Sequence, residues 1–330
     1  MSFSYYEIGS YWRPHELDAA KKHFGEIELS LPATDLLICR NNTESVSSSA
    51  LKQARNLEKN FKENNEKGII INASEFYDYS NSKEKCFQLW EETGVPHPNC
   101  KVIENREDLE DVQFPYLLRL NDGVTGEDTY LIETNKDLQE NYPKLERAFN
   151  DKRRIDTKMI CVKFIDTSTE DGFNLSYRII TAGDSVVCGY ARISDDWLAI
   201  TKQFTENKKE AFVRENKKLE SILAKNEEMI VKAMKTTGHN HVGIDAIPDK
   251  EGNLYFLEIQ PFYFCGNTSR TRPPFWNPYK PKELVDWLIN DEKNLRPELP
   301  IYYDRWLNKK NHFDFCYKSM RESLLDVWPK

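Results

Sequence analysis

The run His241-Val-Gly-Ile-Asp-Ala-Ile247, the turn-forming Pro-Asp-Lys-Glu-Gly-Asn at 248–253 and the run Leu254-Tyr-Phe-Leu-Glu-Ile-Gln260 predict a β-hairpin. Side chains alternate across a strand. Asp245 is therefore expected on the face opposite Ile244, and Glu258 and Gln260 on one face with Leu254 and Phe256. Counting outward from the turn sets Asp245 nearly opposite Glu258. Two carboxylates and a carboxamide then converge, flanked by Phe256, Leu257 and Ile259. Oxygen-only donors suit Mg²⁺, which takes one or two carboxylates together with substrate phosphates and waters. The competing reading is an edge hairpin whose polar face meets solvent.

The rest of the chain supplies a mixed scaffold. Asp35-Leu-Leu-Ile-Cys39 reads as a buried strand, and residues 45–66 as a helix with Ala50, Ala54, Leu57 and Phe61 on one face. Gly68-Ile-Ile-Ile-Asn72 reads as a second strand. That strand–helix–strand unit implies a parallel pair in a small Rossmann-like layer. Asn81 followed by Glu84 resembles a capping box, opening a helix that Gly94 and Pro96 close. Phe114-Pro-Tyr-Leu-Leu-Arg-Leu120 is an apolar strand entering the glycine-bearing turn 121–128, and Thr129-Tyr-Leu-Ile132 is the strand that leaves it. A glycine turn between two strands differs from a P-loop, and G-x-x-x-x-G-K-[ST] is absent. Met159–Ile165, Asn174–Thr181 and Ser185–Ile193 are expected strands, the last two joined at Gly183-Asp184. Residues 207–237 predict a charged helix or helix pair with Phe212, Leu219, Leu223, Ile230 and Met234 as its apolar stripe. Helical stretches at 282–293 and about 314–328 fall in a Pro- and Trp-rich tail. The expected class is α/β and α+β.

Composition limits the partners. The 330 residues carry 46 Lys plus Arg against 54 Asp plus Glu, a formal charge of −8, which argues against a protein that coats nucleic acid. No apolar run reaches the roughly 18 residues of a membrane span. The seven cysteines (Cys39, Cys86, Cys100, Cys161, Cys188, Cys265 and Cys316) are scattered without a C-x-x-C pair, and the N-terminal residues lack the basic and apolar regions of a secretory signal. A cytoplasmic setting is the expectation.

Cations gather around the acidic hairpin. Lys83 precedes the helix at 84–93, Arg119 ends a buried strand before the glycine turn, and Arg178 and Arg192 lie on strands leading to the same half. With a diacid and a glycine turn they make a triphosphate clamp. The order of motifs resembles the ATP-grasp ligase superfamily, in its glutathione synthetase and ribosomal-protein glutamate ligase branch. The matching pieces are Ser82-Lys83, Thr93-Gly-Val-Pro96, Phe114–Arg119 with Gly123 and Gly126, and Val162-Lys-Phe-Ile165. They continue with Ser176-Tyr-Arg178, Gly183-Asp184, Arg192, Gly243-Ile-Asp245 and Leu257-Glu-Ile-Gln260, so the resemblance spans about residues 35–268.

The resemblance implies an ATP site between two α+β subdomains. Lys83 and Arg119 would contact phosphates under a lid at 121–128, and Lys163-Phe164-Ile165 would meet adenine. Asp245, Glu258 and Gln260 would hold Mg²⁺, while Arg192, with Arg178 nearby, would stabilise the transferred phosphoryl group. The implied reaction phosphorylates a carboxylate and couples the acylphosphate to an amine, with small-molecule or peptide substrates. Three positions depart from the family pattern: Arg119 stands for a Lys, Gln260 for an Asn, and Ser176 for an acidic ribose ligand that Glu170 or Asp171 could replace. A small-molecule phosphotransferase and a non-catalytic nucleotide-binding module are the alternatives.

Arg270 and Arg272 follow the hairpin and suit carboxylate or phosphate recognition, so they are candidate substrate residues against a plain solvent loop. His239, His241 and Asp245 form H-x-H-x-x-x-D, a weaker candidate for a transition metal. Phe262, Tyr263, Phe264, Phe275, Trp276 and Tyr279 read as a packing seam, part of which could serve homo-oligomerisation. The expected division is an α/β lead-in at 1–75, a lid-side subdomain at 76–165, a metal-binding subdomain at 166–270 and a C-terminal segment at 271–330.

Overall fold

The computed structural model describes residues 2–8, 14–27, 35–41, 48–123, 126–152, 156–198, 209–261 and 309–325. The first layer comprises β1 (Ser2–Ile8), α1 (Pro14–Phe24), β2 (Glu26–Ile27), β3 (Leu36–Asn41), α2 (Ser48–Asn64) and β4 (Ile69–Ile71). Its strands run parallel in the order β2-β1-β3-β4. Leu36, Leu37, Ile38 and Cys39 are all buried, as a parallel strand covered on both faces requires. The expected β3–α2–β4 unit is present, and β1 and α1 extend it.

The second layer follows α3 (Tyr77–Asn81) and α4 (Lys83–Thr93). It holds β5 (Cys100–Ile103), β6 (Tyr116–Leu120), β7 (Thr129–Ile132), α5 (Asn135–Lys152) and β8 (Met159–Lys163), with sheet order β5-β8-β6-β7 and antiparallel pairing throughout. Leu138, Tyr142 and Leu145 of α5 pack on Leu118, Leu120 and Ile132. Helix α4 begins one residue later than the capping-box pattern predicts. Asn81 ends α3, and Ser82 is the cap, accepting from Lys85 N at 3.4 Å. Gly94 closes α4 in the left-handed region, where it costs no Cβ strain (φ 68°).

The third layer is β9 (Asn174–Ala182), β10 (Ser185–Ser194), α6 (Lys209–Lys225), α7 (Glu227–Lys235), β11 (His241–Pro248) and β12 (Leu254–Gln260), an antiparallel sheet in the order β10-β9-β11-β12. The expected charged helix is a pair, broken at Asn226. Leu219, Leu223, Ile230 and Met234 join Ile179, Val242 and Ile244 in one core. Trp90 of α4 enters that core, 6.0 Å from the Phe256 ring, and donates its indole N–H to Ala233 O at 3.0 Å. Burying the indole removes apolar area worth about 2–3 kcal/mol, and the hydrogen bond keeps its polar edge from costing that back.

Helix α8 (Lys309–Leu324) starts earlier than the expected 314–328, because Phe313, Cys316, Tyr317 and Met320 already make an apolar stripe. It packs across α1 and the β9–β10 end, with Tyr317 edge-on to Phe24 at 5.9 Å. The expected helix at 282–293 and the aromatic seam lie outside the described residues.

Asn72 ties the first layer to the third. Its backbone is left-handed (φ 53°), its Oδ1 accepts from Asn240 N at 2.9 Å and His241 N at 3.2 Å, and its Nδ2 donates to His241 O at 2.7 Å. No helix among the described residues is long and apolar enough to cross a membrane.

Candidate active site

A bulge in β12 decides which side chains meet. Ile244 pairs with Ile259 and Asp245 with Glu258, yet Ala246 pairs with Phe256, so Leu257 is an extra residue. Before the bulge Leu254 and Phe256 face the core. Beyond it Ile259 does, and Glu258 and Gln260 turn to the other face with Asp245. The alternation that grouped Glu258 and Gln260 with Leu254 and Phe256 is thus corrected. The opposition of Asp245 and Glu258 stands.

Neighbouring strands add the cations. Arg178 on β9 lies opposite Asp245, and Arg192 on β10 lies opposite Ser176, two residues along. Arg178 places Nε 2.5 Å from Asp245 Oδ1 and donates from Nη2 to Oδ2 at 3.1 Å. Its Nη1 donates to Gln260 Oε1. Gln260 Nε2 in turn donates to Glu258 Oε1 at 2.8 Å, and Arg192 Nη2 stands 3.3 Å from Asp245 Oδ1.

Helix α4 and the turn after β6 bring two more. Lys83, the first residue of α4, sets Nζ 2.6 Å from Glu258 Oε2 and 2.9 Å from Gly123 O. Arg119 Nη2 donates to the same carbonyl at 3.0 Å. Asn121, which the sequence does not single out, fixes this junction. Its Nδ2 donates to Ser82 Oγ at 3.0 Å, its Oδ1 accepts from Lys158 N at 2.9 Å, and its carbonyl accepts from Lys83 N at 3.1 Å. The only sequence signal for it is an amide placed directly after a strand.

Charge and burial act against each other here. Burial pushes the Glu258 carboxyl up, but Lys83, then Arg119 and Arg178, outweigh it and hold it below the usual carboxylate range. Burial pulls the Lys83 ammonium down, and Arg119 adds to that while Glu258 opposes it. Burial also lowers the Arg119 guanidinium. For Arg192 burial again pulls down, and Asp245 overrides it.

Other expected residues stand around this network. Gly126 (φ 76°) lies against Leu198, where a Cβ would come within 2.5 Å of Leu198 Cδ2. Lys163 leaves β8 exposed, at the end paired with Tyr116, while Phe164 is half-buried and Ile165 buried. None of those three joins the polar network. Asp171 is paired with Arg214 at 2.6 Å. His239 precedes β11 and is buried, with Nδ1 3.0 Å from Thr237 Oγ1. Among the described residues no three His, Cys, Asp or Glu side chains group to hold a metal, so the His239–His241–Asp245 candidate is not assembled. Arg270 and Arg272 lie outside the described residues.

This arrangement of two antiparallel sheets, an acidic hairpin and strand-borne cations has a known counterpart. The pattern of the RimK-like ATP-grasp domain matches residues 80–263. The chain belongs to the RimK-like ATP-grasp family. Members of the family are ATP-dependent ligases, so the class of chemistry follows from membership. Among solved structures the ATP-grasp fold recurs in the N5-carboxyaminoimidazole synthetase of Staphylococcus aureus complexed with ADP. Identity there is 12%, coverage is 81% of this chain and 72% of that one, and the TM-score is 0.50. The ADP complex of purK, an N5-carboxyaminoimidazole ribonucleotide synthetase, gives 12% identity over 81% and 71% of the two chains, also at 0.50. A RimK domain ATP-grasp protein from Sphaerobacter thermophilus gives 12% identity over 80% and 92%, at 0.47. No curated protein matches the sequence.

The residues fit the divalent cation expected of an ATP-grasp site. Asp245 Oδ1 is buried and accepts no aligned hydrogen bond, although two guanidinium nitrogens lie near it. A buried carboxylate oxygen in that condition is an available ligand for a hard cation.

Proposed function

We propose that this protein is a Mg²⁺- and ATP-dependent carboxylate–amine ligase, phosphorylating a substrate carboxylate and passing the acyl group to an amine. The observation that carries the reading is the Asp245–Glu258 pair, opposed across the hairpin and ringed by Lys83, Arg119, Arg178 and Arg192. Four cations facing two carboxylates make a local sink for a polyanion in an acidic chain. Asp245 and Glu258, with Gln260 beside them, would hold Mg²⁺, which supplies charge neutralisation to the phosphates.

The chain's own residues have separable tasks. Lys83 and Arg119 bind phosphate oxygens from α4 and β6, and Arg119 offers a planar fork where a Lys would offer a point charge. Arg192, fixed by Asp245, remains charged and faces the position where negative charge develops on the transferring group. Arg178 holds Asp245 and Gln260 in one orientation. The turn at 121–128, gripped through Gly123 O, covers the phosphates and keeps water from the acylphosphate. Lys163-Phe164-Ile165 contributes the adenine-side wall, and Arg270 and Arg272 bind the acceptor substrate.

Pure protein incubated with Mg-ATP and a matrix of carboxylic acids, short peptides and amines should release ADP and phosphate only when acid and amine are both present. The coupled product should carry the mass of the two minus water. A stable phosphorylated product without coupling would replace this reading by a phosphotransferase. The absence of ATP binding in calorimetry would end it.

A further inference from the structure

Three of the four cations, Lys83, Arg178 and Arg192, already lie against the carboxylates a metal ion would use. Lys83 Nζ sits 2.6 Å from Glu258 Oε2, and Glu258 Oε1 is held by Gln260 Nε2 at 2.8 Å. Arg178 and Arg192 both lie on Asp245, and Arg178 also occupies Gln260 Oε1. Every atom of the expected ligand set therefore has a resident positive or N–H neighbour. Lys83 and Arg119 are in addition joined through Gly123 O to the turn that would cover the phosphates.

A divalent cation arriving alone meets four positive side chains against two carboxylates, and it must displace a buried ammonium with nowhere to send it. A nucleotide offers that destination. Its phosphates can accept Lys83 and Arg119 together, which frees Glu258 and releases the Gly123 carbonyl in one exchange. We infer that Lys83 is the resident counterion of Glu258, so that the site admits a divalent cation only with a nucleotide whose phosphates take Lys83 over. Lys83 is thereby a positioning residue for the metal as well as a phosphate ligand. The inference rests on the nucleotide-site reading above. It goes beyond it in fixing which component has to arrive first, and in linking that order to the hold on the Gly123 carbonyl.

Titration with Mn²⁺ followed by electron paramagnetic resonance, with and without ADP, separates the possibilities. Wild-type protein should bind Mn²⁺ with ADP present and at least about tenfold more weakly without it, because an unshielded buried charge pair has to be broken. Metal-free ADP, in EDTA, should still bind the wild type, as read by calorimetry. Lys83→Met should reverse the metal preference, binding Mn²⁺ alone at least about tenfold more tightly than wild type while losing ADP affinity. Lys83→Arg should keep Mn²⁺ out, since the counterion is retained. Wild-type protein that binds Mn²⁺ alone as tightly as with ADP, or that binds ADP only after metal, overturns the inference, and neither observation needs a variant. A folded Lys83→Met protein with wild-type Mn²⁺ affinity overturns it too. If wild type binds no ADP with or without Mn²⁺, the nucleotide-site reading itself fails, and the inference falls with it.

Discussion

Asp245 and Glu258 stand directly opposite each other on β11 and β12, and the extra residue Leu257 turns Glu258 to the same side of the sheet as Asp245. A strand without that bulge would carry Glu258 on the face of Phe256, into the core with Trp90 and Ile244. The geometry of the site is thus a consequence of one unpaired backbone unit.

Removing the Glu258 carboxylate tests the chemistry directly. Glu258→Ala should lower ATP turnover by about a hundredfold or more, the scale of losing a principal electrostatic group in a reacting site. Circular dichroism should show the fold retained, because Glu258 lies on the face of β12 turned away from the hydrophobic core. Wild-type turnover in this variant would refute the metal assignment.

Deleting Leu257 tests the bulge. Regular pairing would then keep Phe256 opposite Ala246 and Glu258 opposite Asp245, each on its present face, so the folded deletion variant should retain ADP binding. A folded variant that loses ADP binding would show that the site depends on the local backbone distortion at Leu257 and not only on the face Glu258 takes.

The Asn72 clamp should show a split between two substitutions. Asn72→Gly removes the bonds to Asn240 and His241 but keeps the left-handed backbone accessible, and should cost about 2–3 kcal/mol in urea unfolding. Asn72→Ala adds the Cβ strain of that conformation, about 1 kcal/mol more. Equal losses would remove the strain argument.

His239 gives stability a pH dependence. Burial pushes its ring down to about 4, from the 6.5 of an exposed imidazole. The unfolded chain therefore binds more protons between those values, and stability rises with pH there. As pH falls from 6.5 toward 4, the protein should lose about 3 kcal/mol through this group, levelling off below. His239→Gln should flatten that part of the curve in denaturant titrations at graded pH. A wild-type slope retained in His239→Gln would assign the effect elsewhere.

Gly183 tests how α8 is seated. It has φ 57°, and a Cβ there would lie 2.3 Å from Ser319 O, a backbone atom that cannot swing aside. Gly183→Ala should loosen α8, breaking the Ser319 Oγ to Ala182 O bond of 2.7 Å, and expose the C-terminal helix to limited proteolysis. Unchanged cleavage would mean that α8 docks without this close approach.

Several elements were legible because their signal is local. Strand β7 falls on Thr129–Ile132 as expected, β9 and β10 meet at Gly183-Asp184, and Gly94 ends α4. Others gave weak or divided signals. Helix α5 carries Pro143 within it, and β2 is only two residues long. Asn81 and Ser82 are both good caps, and Asn121 favours Ser82 by donating to its hydroxyl from 39 positions away.

The sequence by itself determined the strands β3, β4 and β6–β12, the helices α2, α4, α6 and α7, the opposition of Asp245 and Glu258, and the cationic residues that accompany them. Those follow from turn residues, periodicity and charge, which act over a few positions. Only the tertiary structure decided that Leu257 bulges, that Gln260 bridges Glu258 and Arg178, and that Lys83 and Arg119 share the Gly123 carbonyl. Each of those depends on backbone register and on partners brought from distant strands, and low-dielectric burial is what turns their proximity into a charge network.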